Sequence, residues 1–482
     1  MPAREIYLLS PRTLSPETIA VAFAKTSRSP ESFRDIAAEL SDEKSAQFHE
    51  KWVVGYGHAS VAEHAVLHLA LENISRVAIE VIESNRLASY TEKSTRYQRW
   101  SPQDYTIPPE LENSPLRREF METCDLLFQT YADSLEPVRA IVQQRSPRRE
   151  SESVDAWDRR IRSQYVDTCR FILPAAANAN VGMTANARVL EHAVRKMLSH
   201  ELAEVRQIGE AVRETARLET PTLLKYADAS AYLTGTATDL LHNPLVTAAT
   251  DHPVGTSAVA EEGSPDWCQL IDFDPEGEIK ILAAAIYRFA GPSFDRAMKR
   301  VRALSAGDRA QLGSLLLARL GEHDSPLREL EYTTYTFDLI MDQGAYAEFK
   351  RHRMMTQIVQ PLTARLGFAV PRLLSQAGFS ERYEEAMRAA ASTFERLHTF
   401  NPFVAQYVVP NGFNRRVLAK FNLREAYHFC RLRSARNAHY SIRRIAQRVC
   451  AELTRVHPML SAYMQLPKES WDTIQDEHFT RV

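Results

Sequence analysis

Phe171-Ile172-Leu173-Pro174, followed by Asn186-Ala187-Arg188, returns later in the chain as Tyr407-Val408-Val409-Pro410 and Asn422-Leu423-Arg424. The step from Pro to Asn is 12 positions both times. Each Asn opens an amphipathic helical pattern. Val189, Leu190, Ala193, Val194, Met197 and Leu198 form one apolar face, and Leu423, Ala426, Tyr427 and Cys430 the other. Asn422 with Glu425 three residues on has the spacing of a capping box.

Working outward, the order of the flanking segments repeats as well. In the first half, Ser15-Pro16-Glu17 starts a helix with a capping Ser, Pro in the first turn and an acid just inside. Ser32-Phe33, a second helix, Gly57-His58-Ala59-Ser60 and a strand over 66–71 follow. In the second half the residues 281–285 lead to Ser293-Phe294, a helix near 308–320, Glu322-His323-Asp324-Ser325 and a strand over 332–337. That strand is rich in the β-branched and aromatic types strands favour. The pattern reads as a tandem duplication of an α+β unit in which helices predominate, with domains at 1–230 and 278–482. The linker between them, 231–277, is expected to lack helix because Gly, Pro and acidic residues interrupt it. A charged stretch around 145–162 reads as an exposed helical insertion in the first half.

The 482 residues exceed one typical domain and suit two. Lys and Arg total 59 against 61 Asp and Glu, so no chain-wide polycation points to nucleic acid. No apolar run reaches the ~18–20 residues of a membrane span. The N-terminus lacks the layout of a secretory signal, and five scattered cysteines without a CxxC favour neither a disulfide framework nor a thiolate zinc site. A reduced cytoplasm is the expected setting. His64 and His68 have no evident carboxylate co-ligand, so no metal site is expected.

The residues with chemical promise follow the central strands. The first half carries Ser84-Asn85-Arg86-Leu87-Ala88-Ser89-Tyr90-Thr91-Glu92-Lys93-Ser94-Thr95-Arg96-Tyr97. The second carries Arg351-His352-Arg353-Met354-Met355-Thr356, then Thr363-Ala364-Arg365-Leu366. Guanidinium forks match phosphate oxygens, and a histidine between them can contact a ring or a second phosphate.

This layout resembles the flavin-dependent thymidylate synthase family, whose signature runs RHR-xx-S-x-N-xx-S-x-R-Y. In the first half Arg86, Ser89, Ser94, Arg96 and Tyr97 stand in register, while Ser84, Asn85 and Thr91 replace the first Arg, the His and the Asn. The second half keeps Arg351-His352-Arg353, with Thr356 at the Ser position, and reaches Thr363-Ala364-Arg365 only through a two-residue insertion. Each half keeps what the other lost.

The resemblance implies two family-like domains, each a small twisted sheet flanked by long helices. It implies FAD contacts from His58 and Ser60, from His323, from Arg86, Arg351, His352 and Arg353, and from Asn186, Arg188, Asn422 and Arg424. For the uridylate it implies Ser94, Arg96, Arg170 and Arg433, with Lys196 as the first-half counterpart of Arg433. Ser94, Arg96 and Arg433 are the expected catalytic group, Ser94 orienting the nucleotide and not attacking it. The implied reaction is reductive methylation of dUMP to dTMP with methylenetetrahydrofolate and NADPH. Family enzymes are tetramers with sites shared between subunits, so a homodimer forming a pseudo-tetramer is expected, with sites composed of both halves.

Structural readings stand beside these. Capping alone explains Asn186 and Asn422, and a lone His58 is equally a helix-terminal histidine. The segment 411–448 holds nine Arg and one Lys against the single acid Glu425. It reads as a solvated helix face, as a nucleic-acid surface, or as a set of small phosphate sites. A non-catalytic flavin- or nucleotide-binding homologue is the alternative to the enzyme.

Overall fold

The computed structural model describes residues 5–96, 98–247 and 266–481; Tyr97, which ends the first-half motif, lies outside them. Nine strands run in chain order: β1 Val66–Ser75, β2 Ser89–Glu92, β3 Asn178–Asn186, β4 Cys268–Phe273, β5 Thr334–Asp342, β6 Thr356–Val359, β7 Val370–Pro371, β8 Asn414–Asn422 and β9 Phe479–Arg481. They form an antiparallel sheet in the order β1-β3-β2, a second in the order β4-β5-β8-β6, and the small pair β7-β9. Helices pack around both sheets, as an α+β reading requires.

The repeat is visible in the register. Val66 pairs with Asn186 and Ser89 with Thr184; in the other sheet Thr334 pairs with Asn422 and Thr356 with Lys420. β1 is one residue longer than β5, and a bulge between Leu71 and Ile74 absorbs the extra residue, with Asn73 at φ 57°. Asn takes up this left-handed conformation more readily than most residues. Past the bulge, Ser75 caps the helix Arg76–Glu83 as Asp342 caps Gln343–Phe349. Among the described residues, β4, at one edge of the second sheet, has no counterpart in the first.

The long helices Arg117–Arg145 and Ser380–Phe400 pack together, and one apolar core includes Phe128 and Phe171 of the first half and Tyr383 and Tyr407 of the second. The backbones meet around Pro174 and Pro410. Ala175 N donates to Val409 O and Asn411 N to Leu173 O, at 2.9 and 3.0 Å; Ala176 N donates to Tyr407 O and Gly412 N to Phe171 O, at 2.7 and 2.8 Å. Every bond has its mirror, so the halves are related by a local two-fold axis.

Two expectations change. The segment 231–277 is not free of helix: Ala231–His242 is helical, capped by Ser230, and β4 belongs to the second sheet. The Ser230 side chain accepts the Leu233 N–H at the start of that helix, and Gly235 does not interrupt it. The 145–162 stretch is only partly exposed, because the helix Val154–Cys169 turns Ile161 and Asp158 inward. Among the described residues, no helix is long and apolar enough to cross a membrane.

Candidate active site

Two segments of the first half meet three of the second. The turn after β2 carries Ser94 and Arg96, with Ser94 Oγ accepting the Arg96 N–H at 3.2 Å. Arg170 ends the helix Val154–Cys169 and is 2% exposed. From the second half come Glu348 on Gln343–Phe349, Arg351-His352-Arg353 before β6, and Arg433 in the last turn of Leu423–Arg433.

Two buried carboxylates tie these groups together. Asp167 accepts Arg96 Nε at 2.9 Å and lies 3.7 Å from Arg170 Nε. Burial raises its pKa, against the pull of Arg170 and Arg96. Glu348 accepts Arg433 at 2.9 Å and faces Arg96 at 3.8 Å. Arg96 also donates to the Asn437 carbonyl at 3.2 Å, and Arg170 to Thr95 Oγ1 at 3.0 Å. Arg351 is half exposed and lies 3.8 Å from buried Glu92, at the end of β2. Arg76 holds the same carboxylate at 2.7 Å.

His352 is 3% exposed. Arg433 Nε donates to its Nε2 at 3.0 Å, which leaves Nδ1 as the protonated nitrogen, donating to Glu425 at 2.9 Å. Burial, then the charge of Arg433, holds its pKa well below the ordinary value, while burial pushes Glu425 up to about 7. With these partners His352 is a neutral ring that orients Arg433. Glu425 does not close a capping box. Its N–H is taken by Asn422, but its carboxylate turns inward to His352.

The remaining expected residues lie at other edges. Asn186 and Asn422 cap their helices through Val189 N and Glu425 N, both at 2.9 Å. Arg188 pairs with Glu63, and Arg424 with Glu331, each acid in a 3-10 turn, the one before β1 and the other before β5. His58 and His323 are exposed in the loops leading to those turns, and Ser60 is exposed in the first turn itself. Arg86 donates to Thr356 Oγ1 at 3.3 Å, its carbonyl takes Arg353 at 3.1 Å, and Lys196 bonds Ser84. Arg365, the second half's counterpart of Arg96, instead pairs with Glu395 at 2.7 Å on the long helix.

The acids Asp167, Glu348 and Glu92 were not singled out in the sequence. Asp167 and Glu348 each stand three residues before an expected arginine, a helical neighbour spacing that could have marked them. The basic excess at 411–448 is largely spent inside the chain. Arg415, Arg416, Arg424, Arg433, Arg443 and Arg448 all pair with acids.

A family model described as "Thymidylate synthase complementing protein" matches residues 9–222 and again 269–459. The chain belongs to this Thy1 family. A UPF0159 protein of Chlamydia muridarum is 30% identical over 438 residues, covering 89% of this chain and 82% of the relative. A flavin-dependent thymidylate synthase of Clostridium tetani is 27% identical over 223 residues, covering 45% of this Thy1 chain and 84% of the relative. The solved Helicobacter pylori flavin-dependent thymidylate synthase, complexed with FAD and dUMP, aligns with TM-score 0.30 and 20% identity over 40% of this chain and 96% of its own.

Proposed function

We propose that this Thy1 protein is a flavin-dependent thymidylate synthase-type methyltransferase of the cytoplasm. It converts dUMP to dTMP with methylenetetrahydrofolate as one-carbon donor and NADPH as reductant. The carrying observation is that Arg96 of one half and Arg433 of the other flank the same carboxylate beside Arg351. That is a composite cluster for a nucleotide phosphate. Two halves, the second of which includes β4, suit such sharing.

In this reading Arg96, Arg170 and Arg433 bind and orient the nucleotide phosphate, Ser94 fixes the turn that aims Arg96, and His352 positions Arg433. The exposed guanidiniums of Arg351 and Arg353 fit the diphosphate of FAD in charge and reach. FAD, when bound, would supply the hydride for the pyrimidine. His58, Ser60, Asn186 and Arg188, with His323, Asn422 and Arg424, form outward edges suited to a flavin shared with a second copy in a homodimer.

A second reading, a nucleotide- or flavin-binding protein without turnover, is favoured by the acids Glu348 and Asp167, which already neutralise the phosphate-binding arginines. Visible absorbance of the purified protein during titration with FAD and then dUMP tests both. Flavin bands near ~370 and ~450 nm that shift with dUMP, followed by dTMP formation, support the enzyme. Bands without turnover support the binding protein, and a chain that takes up no FAD overturns both.

A further inference from the structure

Cys124, Cys169, Cys268 and Cys430 are buried, and Cys450 alone of the five cysteines is partly exposed. Cys430 lies on the helix Leu423–Arg433 and Cys450 on the helix Tyr440–Val456, which pack side by side. Their thiols are in hydrogen-bond contact, Cys430 donating to Cys450. Cys450 in turn donates to the Met464 thioether at 3.6 Å. The hydrogen bond from Cys430 holds the Cys450 pKa below its ordinary value, against burial, while burial pushes Cys430 well above it. The pair thus has unlike members: a reachable thiol favoured as thiolate, and a protonated thiol behind it.

This contact closes a hairpin that presents two parts of the arginine cluster. Arg433 stands about one helical turn past Cys430, held by Glu348 at 2.9 Å. Residues 434–439, between the two helices, carry Asn437, whose carbonyl takes Arg96 at 3.2 Å. His439 accepts Ser441 N at 3.2 Å to cap the second helix, and its other ring nitrogen lies 3.4 Å from the Asp167 carbonyl. The remaining thiols are placed differently. Cys124 and Cys169 lie on the first-half helices Arg117–Arg145 and Val154–Cys169, and Cys268, on β4, is 1% exposed in the core that also holds Cys430.

We propose that Cys430 and Cys450 are a modification site, a thiol pair that a hydroperoxide converts reversibly to a disulfide, and that this bond locks the arginine cluster. The Cys450 thiolate attacks one peroxide oxygen, the O–O bond breaks, and hydroxide leaves and takes up a proton to become water. The Cys430 sulfur then attacks the sulfenic acid at Cys450. The S–S bond forms, the S–O bond breaks, and a second water leaves with the Cys430 proton. Two thiols lose two electrons and one hydrogen peroxide becomes two waters; an external dithiol reverses the change by thiol–disulfide exchange. With the hairpin stapled, Arg433 stays on Glu348 and does not turn toward a phosphate. That last step rests on the dUMP reading of the site; the thiol pair does not.

Hydrogen peroxide added to the reduced full chain, then N-ethylmaleimide in denaturant and non-reducing tryptic mapping, reads the pair. Peptides 425–431 and 449–455 should appear linked, at least about tenfold above any linkage through Cys124, Cys169 or Cys268, and dithiothreitol should free them. In Cys430→Ser, dimedone should trap a sulfenic acid at Cys450. Linkage of Cys268 to Cys430 instead, or no linkage in the wild type, overturns the site without recourse to any variant. In the linked protein, amide hydrogen exchange at 434–439 should slow at least about tenfold, and dUMP should bind at least about tenfold more weakly, both reversed by dithiothreitol. Unchanged exchange overturns the lock. Slowed exchange with equal dUMP affinity in both states overturns its hold on Arg433. No dUMP binding in either state, with linkage and slowed exchange intact, overturns only the proposed function.

Discussion

Arg96 of the first half and Glu348 of the second face each other at 3.8 Å, and the other oxygen of Glu348 holds Arg433 at 2.9 Å. A carboxylate thus occupies the middle of the cluster in which a phosphate would seek those same guanidiniums. Glu348→Gln keeps the shape and removes the charge. dUMP affinity should rise about tenfold, from relief of one repulsive charge a few ångströms away. Calorimetric titration of dUMP into the variant and into the wild type reads this. Unchanged or weaker binding would remove Glu348 as the electrostatic competitor.

Arg351→Ala and Arg96→Ala should each abolish dTMP formation, because every composite site needs one residue from each half. A steady-state assay on both single variants decides this. Activity retained in either one means the site is not shared between the halves.

Glu425 sets a pH dependence of stability. Its pKa is raised to about 7 in the folded chain against 4.5 for the free side chain, so the folded state binds the extra proton. That contribution is complete below about pH 4.5 and is lost as pH rises through about 7. Glu425→Gln removes it and keeps an acceptor for His352 Nδ1. Wild type should therefore lose melting temperature relative to the variant between pH 5 and 8. Parallel melting curves across that range would show that Glu425 does not titrate there.

Gly412 donates its N–H to the Phe171 carbonyl across the local axis. A Cβ there would stand 2.5 Å from Tyr383 Oη and 3.2 Å from that carbonyl. Gly412→Ala should cost about 1–3 kcal/mol by overpacking, seen as a lower urea midpoint. No change in the midpoint would mean that the seam between the halves yields freely.

The repeat was legible because strand register and helix caps depend on local residue types. Asn186 and Asn422 cap as read, and β1 and β5 fall where β-branched and apolar residues cluster. The role of His352 was not legible. Its motif neighbours advertise phosphate binding, and only burial beside Glu425 and Arg433 turns the ring into a neutral strut. Glu348 and Asp167 escaped notice because an acid on a helix reads as solvated surface until its partners from the other half are placed beside it. Their meaning lies in what stands opposite the axis.

The bonds mirrored about Pro174 and Pro410 relate the two halves of one polypeptide by a local two-fold axis. In an assembly of identical copies, a mutation strikes every equivalent place at once, and an acid at 348 would arrive at all sites together. Here the genetic text spells each half separately, so Glu348 and Val81, each six residues past its helix cap, are free to differ. Tethering lifts the obligation of symmetry. A charge in one half can change while its counterpart across the axis stays as it is.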